Sequence, residues 1–305
     1  MTYPFSIFSK RKRRALKQAN QAALSRHLRG INCEALYRSR VTSSNESGVG
    51  NDEDHEIILS LTSHGARIDS AYLTIESLME QSLKADRIIL NLNSEAFTEK
   101  NLPATLKRQM ARGLEVYFCK DMGPYTKFYG TLERNPNSLI ITVDDDIMYP
   151  VDLVDQLFRA YVEQPTVIPC LRSHLMTFSS EDGAIKPYKQ WQWDHDKFEP
   201  SLRIFPTGVG GVLYFPGCFD ERVLDAKSFK SLAPNADDVW LKCMSLLKGT
   251  ACRQITSQTS YSARFLQVEG SQRTALKRKN KNKKSGNDSS INRVFTAYSA
   301  HQLLS

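Results

Sequence analysis

The chain has 305 residues, of which 41% are hydrophobic, and this is enough apolar material to bury one large core. Its six cysteines form no CxxC pair, which argues against a zinc site and for reduced thiols inside a cytosolic protein. The net charge is +8. Residues 1–30 carry eight Lys or Arg and residues 271–284 carry seven, with no acid in either segment, so the remaining chain has a net charge of −7. An acidic body of this kind is not expected to bind nucleic acid.

Residues 1–54 are predicted to form a basic N-terminal segment and a polar linker. Positions 1–30 are expected to be helical, and aromatic residues such as Phe5 precede the basic run. Such a segment would bind an anionic membrane surface, and a fully solvated basic helix is the alternative. The chain contains no run of 18 apolar residues and no signal peptide pattern. We therefore expect a cytoplasmic protein that is peripheral on the inner face of the cell membrane.

Strands and helices are predicted to alternate after the linker. The hydrophobic patterns indicate strands at 56–61, 87–92, 114–118 and 139–143, and helices near 69–82, 102–111 and 126–133. This order predicts an α/β fold with a mostly parallel sheet flanked by helices. Ligands of such sheets bind at the carboxyl ends of the strands, so that edge is the expected site.

Three carboxylates follow the fourth predicted strand directly. Asp144, Asp145 and Asp146 come after the apolar run Leu139–Val143. Three like charges beside a core are costly unless a cation neutralises them, and hard carboxylate oxygens suit Mn²⁺ or Mg²⁺. The pattern predicts a metal site, with an ordinary acidic turn as the alternative.

The stretch from about 56 to 250 resembles a GT-A-fold glycosyltransferase of the kind that builds bacterial surface polysaccharides. The Asp triplet matches the Asp-x-Asp motif of that family, Leu61–Arg67 resembles its first loop, and Asp121–Lys127 resembles a Gly-Pro-x-Thr-Lys segment. The resemblance implies a GT-A-like, Rossmann-related catalytic domain at 55–270, with a donor half at 55–150 and an acceptor half at 151–270. Residues 271–305 would then form a basic loop and a C-terminal helix.

The resemblance also implies roles for particular residues. Asp144 and Asp146 would hold the metal, Asp238 would act as the base of an inverting transfer with Asp237 beside it, and Trp191 and Trp193 would contact the acceptor. The donor-binding residues implied are Thr62, His64, Arg67, Lys127, Asp144, Asp145, Gly210 and Gly211.

Each of these assignments has a structural alternative. The acids at 237–238 favour a helix N-terminus for capping reasons alone, and the two tryptophans are equally compatible with a core. Lys127 is otherwise an exposed helix lysine, and the glycines at 210–211 are otherwise a simple turn.

The predicted function is transfer of a sugar from a nucleotide-sugar donor, with UDP-sugars favoured, to an oligosaccharide or lipid-linked glycan. One rival is a sugar-phosphate nucleotidyltransferase, whose Gly-x-Gly-x-Arg loop is represented here only by Gly65-Ala66-Arg67. A second rival is a non-catalytic protein that binds a metal or an anionic ligand.

Overall fold

The structure is a computed structural model, and it describes residues 5–181, 183–193, 198–256, 261, 263–269 and 286–304. The basic loop predicted at 271–284 lies outside the described residues. The N-terminal helix α1 (Phe5–Ser43) is longer than expected, because it continues thirteen residues past position 30. Its last turns pack on the body of the protein through the buried side chains of Tyr37 and Val41, whereas positions 12–29 are exposed.

The first half of the sheet follows the predicted alternation closely. Four strands run parallel in the spatial order β3-β2-β1-β4, and each of their buried runs is rich in Ile and Leu, as is typical of strands covered on both faces. The strands are β1 (Ile57–Thr62), β2 (Arg87–Asn93), β3 (Leu114–Cys119) and β4 (Leu139–Thr142). The helices between them are α2 (Ala71–Met79), α3 (Ala104–Met110) and α4 (Tyr129–Arg134).

The second half is built from shorter elements. Its strands are β5 (Ile147–Met148), β6 (Ile168–Cys170), β7 (Ser173–Leu175), β8 (Ile204–Pro206), β9 (Val212–Tyr214), β10 (Cys252–Gln254) and β11 (Leu266–Gln267). Its helices are α5 (Leu153–Glu163), α6 (Ala226–Leu232), α7 (Asp237–Lys248) and α8 (Asn287–Ala297).

The main sheet joins these two halves. Its seven strands have the order β10-β6-β9-β4-β1-β2-β3, and β9 is antiparallel to both β4 and β6. The predicted fold class is therefore confirmed: a mostly parallel sheet flanked by helices, with a basic helical segment at the N-terminus. Within the described residues, no helix is both long and apolar enough to cross a membrane.

The topology places one edge of the sheet along a large cleft. The parallel strands β1, β2, β4 and β6 all end at this edge. Because β9 runs in the opposite direction, it begins at the same edge, and the loop before it lies there too. Residues that follow β1, β4 and β6 and residues that precede β9 are thus brought together from distant parts of the chain.

Candidate active site

A cleft of about 1580 Å³ opens along this edge. Most of the side chains implied by the sequence line it, and they come from both halves of the chain. The predicted residues in its wall are Thr62, His64, Arg67, Lys127, Asp144, Asp145, Asp146, Trp193, Asp237 and Asp238.

The Asp triplet is held in place by the loop after β1. Asp145 and Asp146 are buried, and the Asp144 side chain is 31% exposed. Arg67 pairs with Asp145 and also lies 3.0 Å from Asp146 Oδ2, while Ser63 Oγ donates to Asp145 Oδ2 over 2.5 Å. Arg67 therefore neutralises part of the triplet from a neighbouring loop.

The triplet retains more negative charge than its surroundings balance. Burial, reinforced by Asp144, raises the pKa of Asp146 to about 6. Burial also raises the pKa of Asp145, although Arg67 and Ser63 act against it. A cation near these oxygens would lower both pKa values, because an opposite charge favours the ionised carboxylate.

These residues fit a divalent metal that is shared with a ligand. Within the described residues, no cluster of three or more His, Cys, Asp or Glu side chains is arranged to hold an ion by itself. Mg²⁺ and Mn²⁺ are commonly bound by one or two carboxylates, with phosphate oxygens and water completing the shell. Asp144 and Asp146 supply two such carboxylates at the rim of the cleft, and Arg67 would have to release Asp146.

Lys127 links the triplet to the acids at the start of α7. It ends a short 3₁₀ helix, Gly123–Lys127, whose buried Tyr125 donates its hydroxyl to Ala233 O over 2.6 Å. Lys127 Nζ lies 3.0 Å from Asp144 Oδ1 and 2.8 Å from Asp237 Oδ2. Burial acts to lower the pKa of Lys127, but Asp144, Asp237 and Asp238 outweigh it and raise that pKa well above its usual value. Lys127 is a buried charge and not the exposed helix lysine of the alternative interpretation.

Asp238 lies in the first turn of α7 and points into the cleft. Its Oδ1 accepts a hydrogen bond from the backbone N–H of Gly208 over 3.0 Å. Burial and then Asp237 raise the pKa of Asp238, to about 7, although Lys127 acts against them. A carboxyl with this pKa exchanges protons readily near neutral pH, which is what a general base requires.

The glycines at 210 and 211 have protein neighbours. A Cβ on Gly210 would lie 2.5 Å from Arg172 Cβ, and one on Gly211 would lie 2.8 Å from Leu153 Cδ1. Gly211 also has φ +84°, a backbone conformation that L side chains rarely adopt. Neither residue is in the wall of the cleft as described, so the structure accounts for both glycines by packing.

The two tryptophans separate. Trp191 is buried against Phe205, and its indole N–H donates to Lys186 O over 2.8 Å. Trp193 is 42% exposed, lines the cleft and stacks on His174 with ring centroids 4.5 Å apart. Of the two tryptophans, only Trp193 offers an aromatic face to a ligand.

Several residues of the cleft were not predicted. Arg172 and His174 follow β6, Tyr188 packs edge-on against His174, and Tyr261 lies beside the triplet. A signal was present for the first two. The apolar run Val167–Leu171 is followed at once by Arg172-Ser173-His174, which resembles a strand ending at the ligand edge.

Comparisons with known proteins give only distant structural likenesses. No family model and no curated protein match this chain. Among solved structures, a mannosyltransferase from Pyrobaculum calidifontis, in complex with GDP-Man and Mn²⁺, is 12% identical, with a TM-score of 0.42 over 77% of this chain and 66% of that one. S. aureus TarS 1–349 is 11% identical, with a TM-score of 0.45 over 70% of this chain and 60% of that one.

A third similar structure is 4-diphosphocytidyl-2C-methyl-D-erythritol synthase, which is 10% identical with a TM-score of 0.43 over 74% of this chain and 98% of the other. This chain spans less than two thirds of the length of the mannosyltransferase and of TarS 1–349. Likenesses of this degree do not assign a substrate or a residue, so those assignments depend on the geometry of the cleft.

Proposed function

We propose that this protein is a metal-dependent glycosyltransferase that moves a sugar from a nucleotide-sugar donor to a hydroxyl group of a glycan acceptor. One observation carries the proposal. Two sets of carboxylates, Asp144–Asp146 and Asp237–Asp238, face one cleft and are joined by the buried Lys127. The first set suits a metal–diphosphate and the second contains a carboxyl suited to proton transfer.

The donor side is formed by the loops after β1 and β4. Thr62 and His64 lie in the wall of the cleft beside the triplet, where a nucleotide would reach the carboxyl edge of the sheet. Asp144 and Asp146 would hold Mn²⁺ or Mg²⁺, and the ion would supply positive charge to the departing diphosphate. Lys127 and Arg67 are cations that can exchange a carboxylate for a phosphate oxygen once the ion neutralises the triplet.

The acceptor side is formed by the start of α7 and the exposed ring of Trp193. The acceptor hydroxyl would transfer its proton to Asp238 as its oxygen bonds to the anomeric carbon, while the bond from that carbon to the diphosphate breaks. The backbone N–H of Gly208 fixes one oxygen of Asp238 and leaves the other for this proton. This arrangement supports an inverting transfer with a single displacement.

We extend the proposal to the identity of the partners. A UDP-sugar donor, an oligosaccharide or lipid-linked glycan acceptor and a role in bacterial surface polysaccharide assembly follow from the resemblance of the sequence motifs. The exposed basic residues of α1, such as Arg13, Arg14 and Lys17, suit an anionic membrane surface, each contributing about 1 kcal/mol. The organisation into a catalytic domain at 55–270 with flanking basic segments is part of the same proposal.

The proposal is tested by thermal unfolding with UDP-, GDP-, CMP- and dTDP-linked compounds, each with and without Mn²⁺. A ligand that binds only the native state raises the unfolding temperature, so one nucleotide class is expected to stabilise the protein only when the metal is present. Asp144→Ala and Asp146→Ala should abolish that metal-dependent shift. Stabilisation by no nucleotide would contradict the proposal and favour the non-catalytic binding protein.

A sugar-phosphate nucleotidyltransferase would respond to the same panel in part. It would require a nucleoside triphosphate and a sugar phosphate and would release pyrophosphate. Incubation of the stabilising nucleotide sugar with and without acceptor therefore separates the two activities, since only a glycosyltransferase releases the nucleoside diphosphate.

A further inference from the structure

Arg172 is a third cation in the wall of the cleft, and the sequence resemblance assigns it no role. It lies two residues beyond β6, at the ligand edge of the sheet. Its backbone carbonyl accepts from the N–H of Thr207 over 3.0 Å. Because Gly208 follows Thr207 and binds Asp238, this connection places Arg172 next to the segment that holds the candidate base.

The side chain of Arg172 is held by neighbouring residues. Its Nη1 donates to Thr207 Oγ1 over 2.8 Å, and its guanidinium carbon lies 5.5 Å from the centre of the Tyr261 ring. Gly210 has no side chain, and this leaves the space that the Arg172 Cβ occupies. A Cβ on any other residue at position 210 would lie 2.5 Å from the Arg172 Cβ and collide with it. The backbone and two side chains thus orient the guanidinium into the cleft.

The three cations beside the acids differ in what neutralises them. Arg67 is paired with Asp145 and Asp146, and Lys127 is paired with Asp144 and Asp237. Within the described part of the chain, no carboxylate lies within ion-pair distance of the Arg172 guanidinium. A partly buried guanidinium beside an acidic cluster that forms no ion pair has donors available for an anion.

The location of Arg172 indicates which anion. Tyr261, whose ring lies against the guanidinium, is itself close enough to Asp144 and Asp146 to be influenced by their charges. Tyr188 is influenced by both Asp238 and Arg172. Arg172 lines the same cleft as the triplet and is connected to the candidate base through Thr207 and Gly208. The phosphate part of a ligand would meet the reacting hydroxyl in this part of the cleft.

We propose that Arg172 binds a phosphate group in the cleft through its two-pronged guanidinium. This inference rests on the proposed function for the source of the phosphate, which is either the diphosphate of a nucleotide donor or the phosphate of a phosphate-linked acceptor. Both present the same oxygens, and the planar guanidinium matches them with two parallel hydrogen bonds.

The experiment measures the binding of inorganic pyrophosphate by calorimetry in the presence of Mg²⁺. Charge-assisted hydrogen bonds are strong, so Arg172→Gln is expected to weaken pyrophosphate binding by about tenfold or more. Arg172→Lys should cause a smaller loss, because the charge stays and the fork is lost. Arg159→Gln is the matched control, since Arg159 is 78% exposed on α5 and pairs with Asp155 away from the cleft, and it should bind as the parent does.

The source of the phosphate is then identified with two further probes. If Arg172→Gln weakens the binding of the nucleoside diphosphate, the donor is the source. If it weakens only the binding of a short-chain prenyl phosphate, the acceptor is the source. Thermal unfolding of each variant establishes that it is folded, and Arg172→Lys gives the answer if the Gln variant does not fold.

Two results would overturn the inference: pyrophosphate binding that is equal in the parent and in both Arg172 variants, or no pyrophosphate binding by the parent. The proposed function fails differently. A parent that binds pyrophosphate through Arg172 but binds no nucleoside diphosphate would refute the glycosyltransferase and leave the phosphate site in place.

Discussion

Two buried groups of polar and charged residues in this protein contain similar side chains and differ in how completely their charges are neutralised. The first, the scaffold group, consists of Glu76, Gln109 and Arg112. The second, the cleft group, consists of Lys127, Asp144 and Asp237. Both hold a cation against carboxylates inside the protein, yet only the second belongs to the proposed site.

The scaffold group is closed. Glu76 is fully buried, its Oε1 accepts from Arg112 Nη1 over 2.5 Å, and its Oε2 accepts from Gln109 Nε2 over 2.8 Å. Arg112 Nε donates to Glu46 O over 2.9 Å, which anchors the segment that follows α1. One positive charge meets one fully buried negative charge, and both side chains are held by further hydrogen bonds.

The cleft group is open. One ammonium, on Lys127, is shared by Asp144 and Asp237, and Asp238 adds a further negative charge nearby. Asp144 also reaches solvent in the cleft. In this protein the buried charges of the scaffold group are balanced locally, whereas those of the proposed site retain an excess of negative charge that a cation or ligand could balance.

The largest expected effect is on the catalytic rate, and it concerns Asp238, the acid next to the cleft group. Asp238→Asn keeps the shape of the side chain and removes the base, so kcat should fall by about 10²- to 10⁴-fold while donor affinity is unchanged. Steady-state kinetics and donor titration measure the two quantities, with the exposed Glu133→Gln as control. Normal turnover by the Asn variant would refute the assignment of the base.

The pH dependence follows from the same residue. The pKa of Asp238 is raised to about 7, so the carboxyl loses its proton only as the pH rises through that value. The parent should therefore gain activity with a midpoint near pH 7. The raised pKa also affects stability, because this carboxyl binds its proton more tightly in the native state than in the unfolded state. Its contribution to stability is therefore full below its unfolded-state pKa and declines as the pH rises towards 7.

The second effect is on stability and concerns the scaffold group. Glu76→Gln removes the fully buried counter-charge of Arg112 and leaves only the partly exposed Glu80, 3.9 Å from Arg112 Nη2. Breaking a buried pair in this way costs about 3 kcal/mol of unfolding free energy. Urea unfolding measures the loss. Mn²⁺ should not restore it, and nucleotide binding at saturating metal should be unchanged. A variant that loses nucleotide affinity instead would end the distinction between the two groups.

The smallest effect is expected for Lys127→Met. The variant leaves Asp144 and Asp237 without their shared cation, but solvent in the cleft screens part of the repulsion, so the loss should be about 2 kcal/mol. Because a divalent ion can replace the missing positive charge, Mn²⁺ should reduce the loss. Unfolding with and without Mn²⁺ measures this, and a loss that is the same in both conditions would show that the cleft group is a closed structural pair like the first.

The first half of the sheet was largely predictable from sequence, for a local reason. Its strands are buried on both faces and carry uninterrupted apolar runs such as Leu139–Val143. The apolar spacing of α2 predicted a helix, although the structure buries this helix on every side. Observed and predicted element limits differ by at most three residues, and the longest differences are at the end of α2 and the start of α4. The position of the Asp triplet at the ligand edge follows directly from the end of β4.

The second half of the chain was less predictable, because its elements are short and are stabilised by contacts between residues distant in sequence. Strands of three residues such as β6 and β9 carry too little periodicity to be recognised. The same is true of individual residues: Trp191 and Trp193 are two positions apart, and only packing against Phe205 and His174 decides that one is core and the other lines the cleft.

The sequence by itself determined the class of fold and the acids of the candidate site, since burial patterns along the chain specify strands and helices and the triplet directly follows a strand. Only the tertiary structure decided which charges are neutralised. Arg67 reaches the triplet across 78 residues and Arg172 meets Thr207 across 35, and no local pattern encodes such pairs. The antiparallel β9, placed between β4 and β6, brings the loop before it to the edge where β4 and β6 end. In that loop Thr207 accepts a hydrogen bond from Arg172, and Gly208 donates one to Asp238.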